Sequence, residues 1–509
     1  MKKIPCYLVA LSTLLSACSK KEPSVVKNQP LAATSAATIV NQTQFRGSLV
    51  GFSVKIRQGG GPNPTSDGNI LYNLPLFQSS AVENDWWENL VEEYDYSGLD
   101  FFAANCRGYL PNGPDVDHGD PRKLTQLVRA MDRRGVGNKY KIAVFDDCPT
   151  SWCASSNLDK GIGYTTSSKF DAGDPANYKY IWDYNIKVAF QNIPDEKRFK
   201  YDNRPVIIFW NAHQNWMTNF GNGNLKKILL HIRSKFQETF GVQPYLIIQK
   251  SWMDRDPTSL DVGAADAIHD WFNMEQPWRV RTHNGIKIGT GIPGFRVVKG
   301  TTNMFVDPRH GEQLTETLQN TVGAGAQITL IEGFTDVAEN AALFRSSDNV
   351  FYDYPNQRLN ILRRFSQNPY PASLKIEAEA CDFYHDLSSG NSGNSYRQGN
   401  LDIVKCGDIN KGWHVNNTQA GEWLEWKEIP FSANNSKFEI RYSSVVPITV
   451  VFSIDGIDLP PATLPVSGFG YWASADAGTV SFPTSGLHTV RLKIVSGNAS
   501  INYFNRISL

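Results

Sequence analysis

The chain has no excess of either charge: Lys and Arg number 50, and so do Asp and Glu, over 509 residues. That balance leaves no basic face to neutralise phosphates, so no nucleic-acid partner is expected. There is no dinucleotide-type phosphate loop either. Gly59-Gly60-Gly61 lacks both the G-x-G-x-x-G spacing and a following helix, so no nucleotide or redox cofactor is expected for catalysis. Cys148 and Cys153 have no second Cys or His pair nearby, which sets zinc aside. A transmembrane helix is also missing. The apolar run Cys6–Leu15 is too short to span a bilayer.

What that N-terminus does carry is a positive Lys2-Lys3 pair, the short apolar run, and then Leu15-Ser16-Ala17-Cys18. The last four residues resemble a bacterial lipobox. The resemblance implies a signal peptide over 1–17 and lipidation at Cys18. Ser19–Gln44 is rich in Ser, Thr, Ala, Lys and Pro without apolar periodicity, so 18–46 reads as a flexible tether. The expectation is an outer-membrane lipoprotein of a Gram-negative bacterium, on its periplasmic or surface face, joined to the membrane through lipid. In that oxidising setting Cys381 and Cys406 could pair, whereas Cys106, Cys148 and Cys153 form an odd set.

From residue 47 to 368 strand-like and helix-like runs alternate. Strands are predicted near residues 50, 99, 140, 205, 245, 265, 286 and 327, most of them separated by helical periodicity. Eight such repeats point to an α/β (β/α)8 TIM-type barrel, whose chemistry gathers at the C-terminal ends of its strands. Arg57, Asn105, Arg107, Asp146, Asp147, Asn211, His213, Lys250, His269, Asp270, Trp271 and Glu332 would then ring one cleft, with Trp252 and Trp271 as candidate sugar platforms. Each has a plainer reading as a cap, a rim residue or packing. The strongest cluster lies after the last strand, where Glu332 is followed by Asp336 and Glu339 at i and i+3. Paired carboxylates at a strand's end are what glycoside cleavage needs, although acids there also cap helices.

Beyond Pro369 and Pro371 the pattern changes to short alternating strands between Gly, Asn, Ser and Pro, an all-β sandwich over 374–509. Three segments carry a resemblance to the family 6 carbohydrate-binding modules, which are jelly rolls. They are Ile376-Glu377-Ala378-Glu379, Gly421-Glu422-Trp423-Leu424-Glu425-Trp426, and Gly486–Leu492 with Ile501-Asn502-Tyr503-Phe504. The resemblance implies a structural Ca²⁺ at Glu377, Glu379 and Asn502, where Asn502 stands in place of the family's usual Asp. It also implies sugar contacts at Tyr396, Tyr471, Trp472 and Asn498.

The barrel is similar, more distantly, to the clan of glycoside hydrolase families 99 and 71 and to Bacteroidetes lipoproteins with the same barrel-plus-module layout. Leu330–Asn340 and Ile292-Pro293-Gly294-Phe295 carry this likeness. It places Asp336 and Glu339 on the two acidic positions, with Asp where the family has Glu, and with Val337 and Ala338 where it has Trp and His. The expectation is a lipid-anchored hydrolase of a polysaccharide or glycan. Glu339 is its general acid, Asp336 the partner and Glu332 the reserve. The alternative is a glycan-binding lipoprotein whose barrel has lost catalysis.

Overall fold

Short runs of Ile, Val, Phe and Ala, bounded by polar residues, become the inner strands of the molecule. A computed structural model describes residues 43–52, 71–77, 82–109, 119–150, 169–299, 302–409 and 411–509. The signal peptide, nearly all of the tether with Cys18, Arg57, the Gly59–Gly61 run and Cys153 lie outside those residues. Residues Thr43–Leu509 form one compact unit.

The central sheet is built from β1 (Phe45–Val50), β2 (Phe101–Cys106), β3 (Lys141–Asp146), β4 (Arg204–Phe209), β5 (Tyr245–Gln249), β6 (Ala267–His269), β7 (Trp278–His283) and β8 (Ile286–Gly291). A hairpin, β9 (Phe295–Lys299) and β10 (Thr302–Val306), stands apart from it, and β11 (Ile328–Ile331) completes it. The hydrogen-bonded order is β7-β8-β11-β1-β2-β3-β4-β5-β6. All neighbours are parallel except β7, which is antiparallel to β8. Leu49, Phe101, Ala103, Ala143, Phe145, Val206, Ile208, Ile247, Ile288, Ile328 and Leu330 fill one face as a separate core. Gly47 makes room for it: a side chain there would meet the Phe101 ring at 2.4 Å.

This arrangement corrects the expected (β/α)8 barrel. The sheet is a nearly closed, mixed barrel. No strand pairing joins β6 to β7 or β8, and an antiparallel strand sits at that edge. The helical layer is incomplete as well: β6, β7 and β8 follow one another with no helix between them, and β11 leads into turns instead of a helix. The physical reason is local. Trp278–His283 alternates its residues, and Asn284 and Gly285, both at positive φ, fold it back onto β8 as a tight hairpin where a crossover helix was expected.

The helices that are present pack by amphipathic periodicity. Leu124–Arg133, for example, buries Leu124, Leu127, Val128 and Met131 against the sheet's outer face. The C-terminal module is a sandwich of two six-stranded sheets, in which Ser373–Glu377 pairs antiparallel with the last strand, Asn498–Ser508. Cys106, Cys148, Cys381 and Cys406 are all free and buried, which corrects the possible Cys381–Cys406 pair. Cys381 lies beside the Arg397 guanidinium, and Cys406 Sγ accepts from the Asp408 N–H at 3.4 Å.

Candidate active site

The strand ends bring five titratable groups to one mouth of the barrel. Glu332 follows β11 directly, with its N–H held by the Gly291 carbonyl at 2.9 Å. Gly333, at φ +69°, then turns the chain, and Phe334 anchors the turn through the Leu49 carbonyl and Ser48 Oγ. The Asp336 side chain accepts from the Glu339 N–H at 2.9 Å, an Asx-type turn that folds the two acids back towards the strand end. One carboxylate oxygen from each of Glu332, Asp336 and Glu339 lies within 4.8 Å of the other two.

Arg107, just past β2, is the cation of this group. Its Nε stands 2.7 Å from Asp147 Oδ2, and its charge also faces Asp336 and Glu339. Gly119 permits that position, since a Cβ there would strike the Arg107 side chain at 2.6 Å. Burial pushes the Glu332 carboxyl well above the usual range, and Glu339, Asp336 and Asp147 push it further against the pull of Arg107. Carboxyls this close cannot all ionise, so the most enclosed one keeps a proton.

Asp146 lies behind that mouth, on the outward strand face it shares with Cys106 and Phe209. It is 1% exposed, and burial drives its pKa up to about 8, opposed by the bond from Asn185. Asn185 Nδ2 donates to Asp146 Oδ1 at 2.5 Å and to the Cys106 carbonyl at 3.1 Å, while its Oδ1 accepts from the Gly108 N–H at 2.8 Å. It sits in a π-helical turn, Trp182–Ile186. Sequence periodicity gave no hint of this residue, because a single π turn leaves no repeat to detect.

The structure thus gathers Glu332, Asp336, Glu339, Arg107 and Asp147, and it gives Asp146 and the others different settings. Asn105 Oδ1 is buried without a partner among the described residues. His213 caps a turn through Asn215 and lies against Trp216; burial, with Arg255 and Lys169 nearby, keeps its pKa below normal. Asp270 is paired with Arg279 at 3.0 Å, and Lys250 with Asp254. His269 is fully buried on the Phe209 carbonyl, with burial lowering its pKa to about 4. Trp252 and Trp271, expected as platforms, are packing residues. Trp252 is 1% exposed, and Trp271 is wedged against Phe145 and Trp210 in the barrel core.

In the module, Tyr396 is likewise buried, between Phe77 and Trp413, and is not a surface contact. Trp472 lies against His414, and Asn498 Nδ2 donates to Asn417 Oδ1 at 3.0 Å. Beside them Phe469 and Tyr471 are exposed at 89% and 73%. The expected calcium ligands do not fit a metal. Glu377 is paired with Lys375 at 2.6 Å and Arg134 at 3.2 Å, and Asn502 donates to Asp408, itself paired with Arg441.

Comparison with known proteins follows the same division. Residues 397–506 match the carbohydrate binding module of family 35. Among solved structures, the C-terminal family 6 module of LamC from Zobellia galactanivorans is 23% identical, with TM-score 0.23, covering 27% of this chain and 99% of that one. The family 6 module of Cellvibrio mixtus lichenase 5A, solved with cellotriose, is 21% identical, with TM-score 0.22, covering 27% and 97%. No curated protein matches the chain. The barrel match falls on a family other than hydrolase families 99 and 71. Residues 42–383, well over half the length, match the family described as "Domain of unknown function (DUF5010)". The chain therefore belongs to the DUF5010 family, and its C-terminal part is a carbohydrate-binding module.

Proposed function

We propose that the protein is an exported glycoside hydrolase, lipid-anchored through Cys18 at the outer membrane, that cleaves a polysaccharide or glycan by carboxylate acid/base chemistry. One observation carries the reading: Glu332, Asp336 and Glu339 converge at the barrel mouth beside Arg107, and the most enclosed acid holds its proton. In this reading Glu332 protonates the leaving oxygen, a role the sequence had given to Glu339. Asp336 or Glu339 meets the anomeric carbon or its hydroxyl neighbour as carboxylate. Arg107 and Asp147 position the acids and balance their charge.

The test is release of reducing sugar across a glycan panel. Glu332→Gln should lower turnover by about 10²–10⁴-fold on natural glycosides. It should lower it far less on aryl glycosides whose leaving group needs no proton. One of Asp336→Asn and Glu339→Gln should fail on both. Full activity in all of these variants would end the proposal. Cys18→Ala should release the protein from the membrane fraction.

A second reading, a glycan-binding lipoprotein without catalysis, is favoured by the exposed Phe469 and Tyr471 beside Trp472, Asn417 and Asn498, which offer a stacking surface independent of the barrel. Affinity for a glycan with no product from any member of the panel would select it.

A further inference from the structure

The module's opening strand delivers two acids, Glu377 and Glu379, to its junction with the barrel. They are 5% and 4% exposed. Glu379 Oε2 has no hydrogen-bond partner among the described residues, and its carboxyl is held well above the usual range by burial and by Glu377. Two buried acids this close call for a cation. The barrel supplies one. Arg134 follows the helix Leu124–Arg133, and its Nη2 lies 3.2 Å from Glu377 Oε1. The same guanidinium faces Glu92, Glu379 and Glu88. Across from it stands Gly412, at φ +84°, where a Cβ would lie 3.1 Å from Arg134 Nη1. Any other residue there would crowd the arginine.

Other oxygens near the expected ligand set are already paired. Lys375 Nζ sits 2.6 Å from Glu377 Oε1. Arg441 grips Asp408 with two nitrogens at 2.7 and 2.6 Å, and Asn502 Nδ2 donates to the same Asp408 at 3.0 Å. A calcium ion needs several such oxygens turned towards it at about 2.3–2.6 Å. Here three cationic side chains hold Glu377 and Asp408 instead. Among the described residues, these acids do not form a group of three with metal-holding spacing.

We propose that Arg134 is a built-in cation for the module: a guanidinium from the barrel stands where a divalent ion was expected, so docking onto the barrel replaces metal binding. The consequence is functional as well as structural. A module stabilised by calcium folds and moves as its own unit, whereas one stabilised by a barrel arginine is fixed to it. The inference does not depend on whether the barrel cleaves sugar.

The experiment is thermal unfolding of the full chain, in chelator and in millimolar calcium. The wild type should keep its Tm within about 1 °C between the two, because no site awaits the ion. Arg134→Met should unfold lower and regain several degrees in calcium, since the freed carboxylates can then take a divalent ion. Arg134→Lys keeps the charge and should remain indifferent to calcium; it covers the case in which the methionine variant does not fold. Two results overturn the proposal. One is a calcium-raised Tm in the wild type that disappears in Glu377→Gln. The other is an Arg134→Met protein that gains no calcium response.

Discussion

Asp146 shows how far a single residue behind this site departs from its solution chemistry. Its carboxyl is almost wholly enclosed, and burial raises its pKa to about 8 from an unfolded value near 4. A raised value means that the folded state binds the proton more tightly than the unfolded chain. The stability this confers is complete below about pH 4 and is lost as pH climbs through 8. Asn cannot titrate, yet its side-chain oxygen can still accept from Asn185 Nδ2. Asp146→Asn should therefore flatten the decline of Tm between about pH 5 and 8. Parallel curves for variant and wild type would show that Asp146 is not the group responsible. Glu332 is shifted in the same direction, so the alkaline limb of any activity profile should report loss of its proton.

At the scale of elements, the π turn Trp182–Ile186 is the piece that ties the strand ends together from the helix side. Asn185 ties the end of β2, the chain at Gly108 and the end of β3 with three hydrogen bonds. Asn185→Ala would strand the Gly108 N–H and leave Asp146 Oδ1 without its donor, both in a buried setting, while the Cys106 carbonyl keeps the Asp147 N–H. With about 1–3 kcal/mol for each orphaned group, the expected loss is about 2–4 kcal/mol, read from the urea midpoint. A loss under about 0.5 kcal/mol would mean that water replaces the side chain.

No sequence rule finds this residue, whereas the strands were legible. Runs such as Lys141–Asp146 and Arg204–Phe209 are apolar, short and capped by polar residues, and they form strands close to where periodicity puts them. The β7–β8 hairpin was legible too, in Asn284-Gly285 between alternating runs, but Trp278–His283 was not among the eight strands read from the sequence. The acids after β11 announced themselves by spacing. Trp252, Trp271 and Tyr396 did not declare their role, because an aromatic that packs and one that stacks on sugar look alike until their neighbours are known. For Tyr396 that neighbour, Phe77, lies more than 300 residues away in sequence.

The pattern changes beyond Pro369 and Pro371, yet a polar chain crosses the junction between barrel and module. Arg345, 1% exposed, donates to both Glu92 oxygens at 2.6 and 3.1 Å and to Asn356 Oδ1 at 2.6 Å. Its own N–H donates to Glu93. Asn356 in turn donates to Asp382 Oδ1 and to the Ala380 carbonyl in the module, and Asn360 reaches the Lys427 carbonyl. One buried apolar cluster runs through both parts. Burial lifts Glu93 to about 7 and Asp382 to about 6, so the junction, like Asp146, is firmest in acid and weakens as pH rises through those values. Cooperative unfolding follows, because neither part can open without exposing this network. Calorimetry of the full chain should give one transition. Arg345→Met removes the central cation and leaves Glu92 and Glu93 without their partner, at a cost of about 3–5 kcal/mol. If the junction is the keystone, that variant should melt earlier and still as a single peak. A module peak that stays at the wild-type temperature while a barrel peak moves down would show instead that the two parts unfold independently.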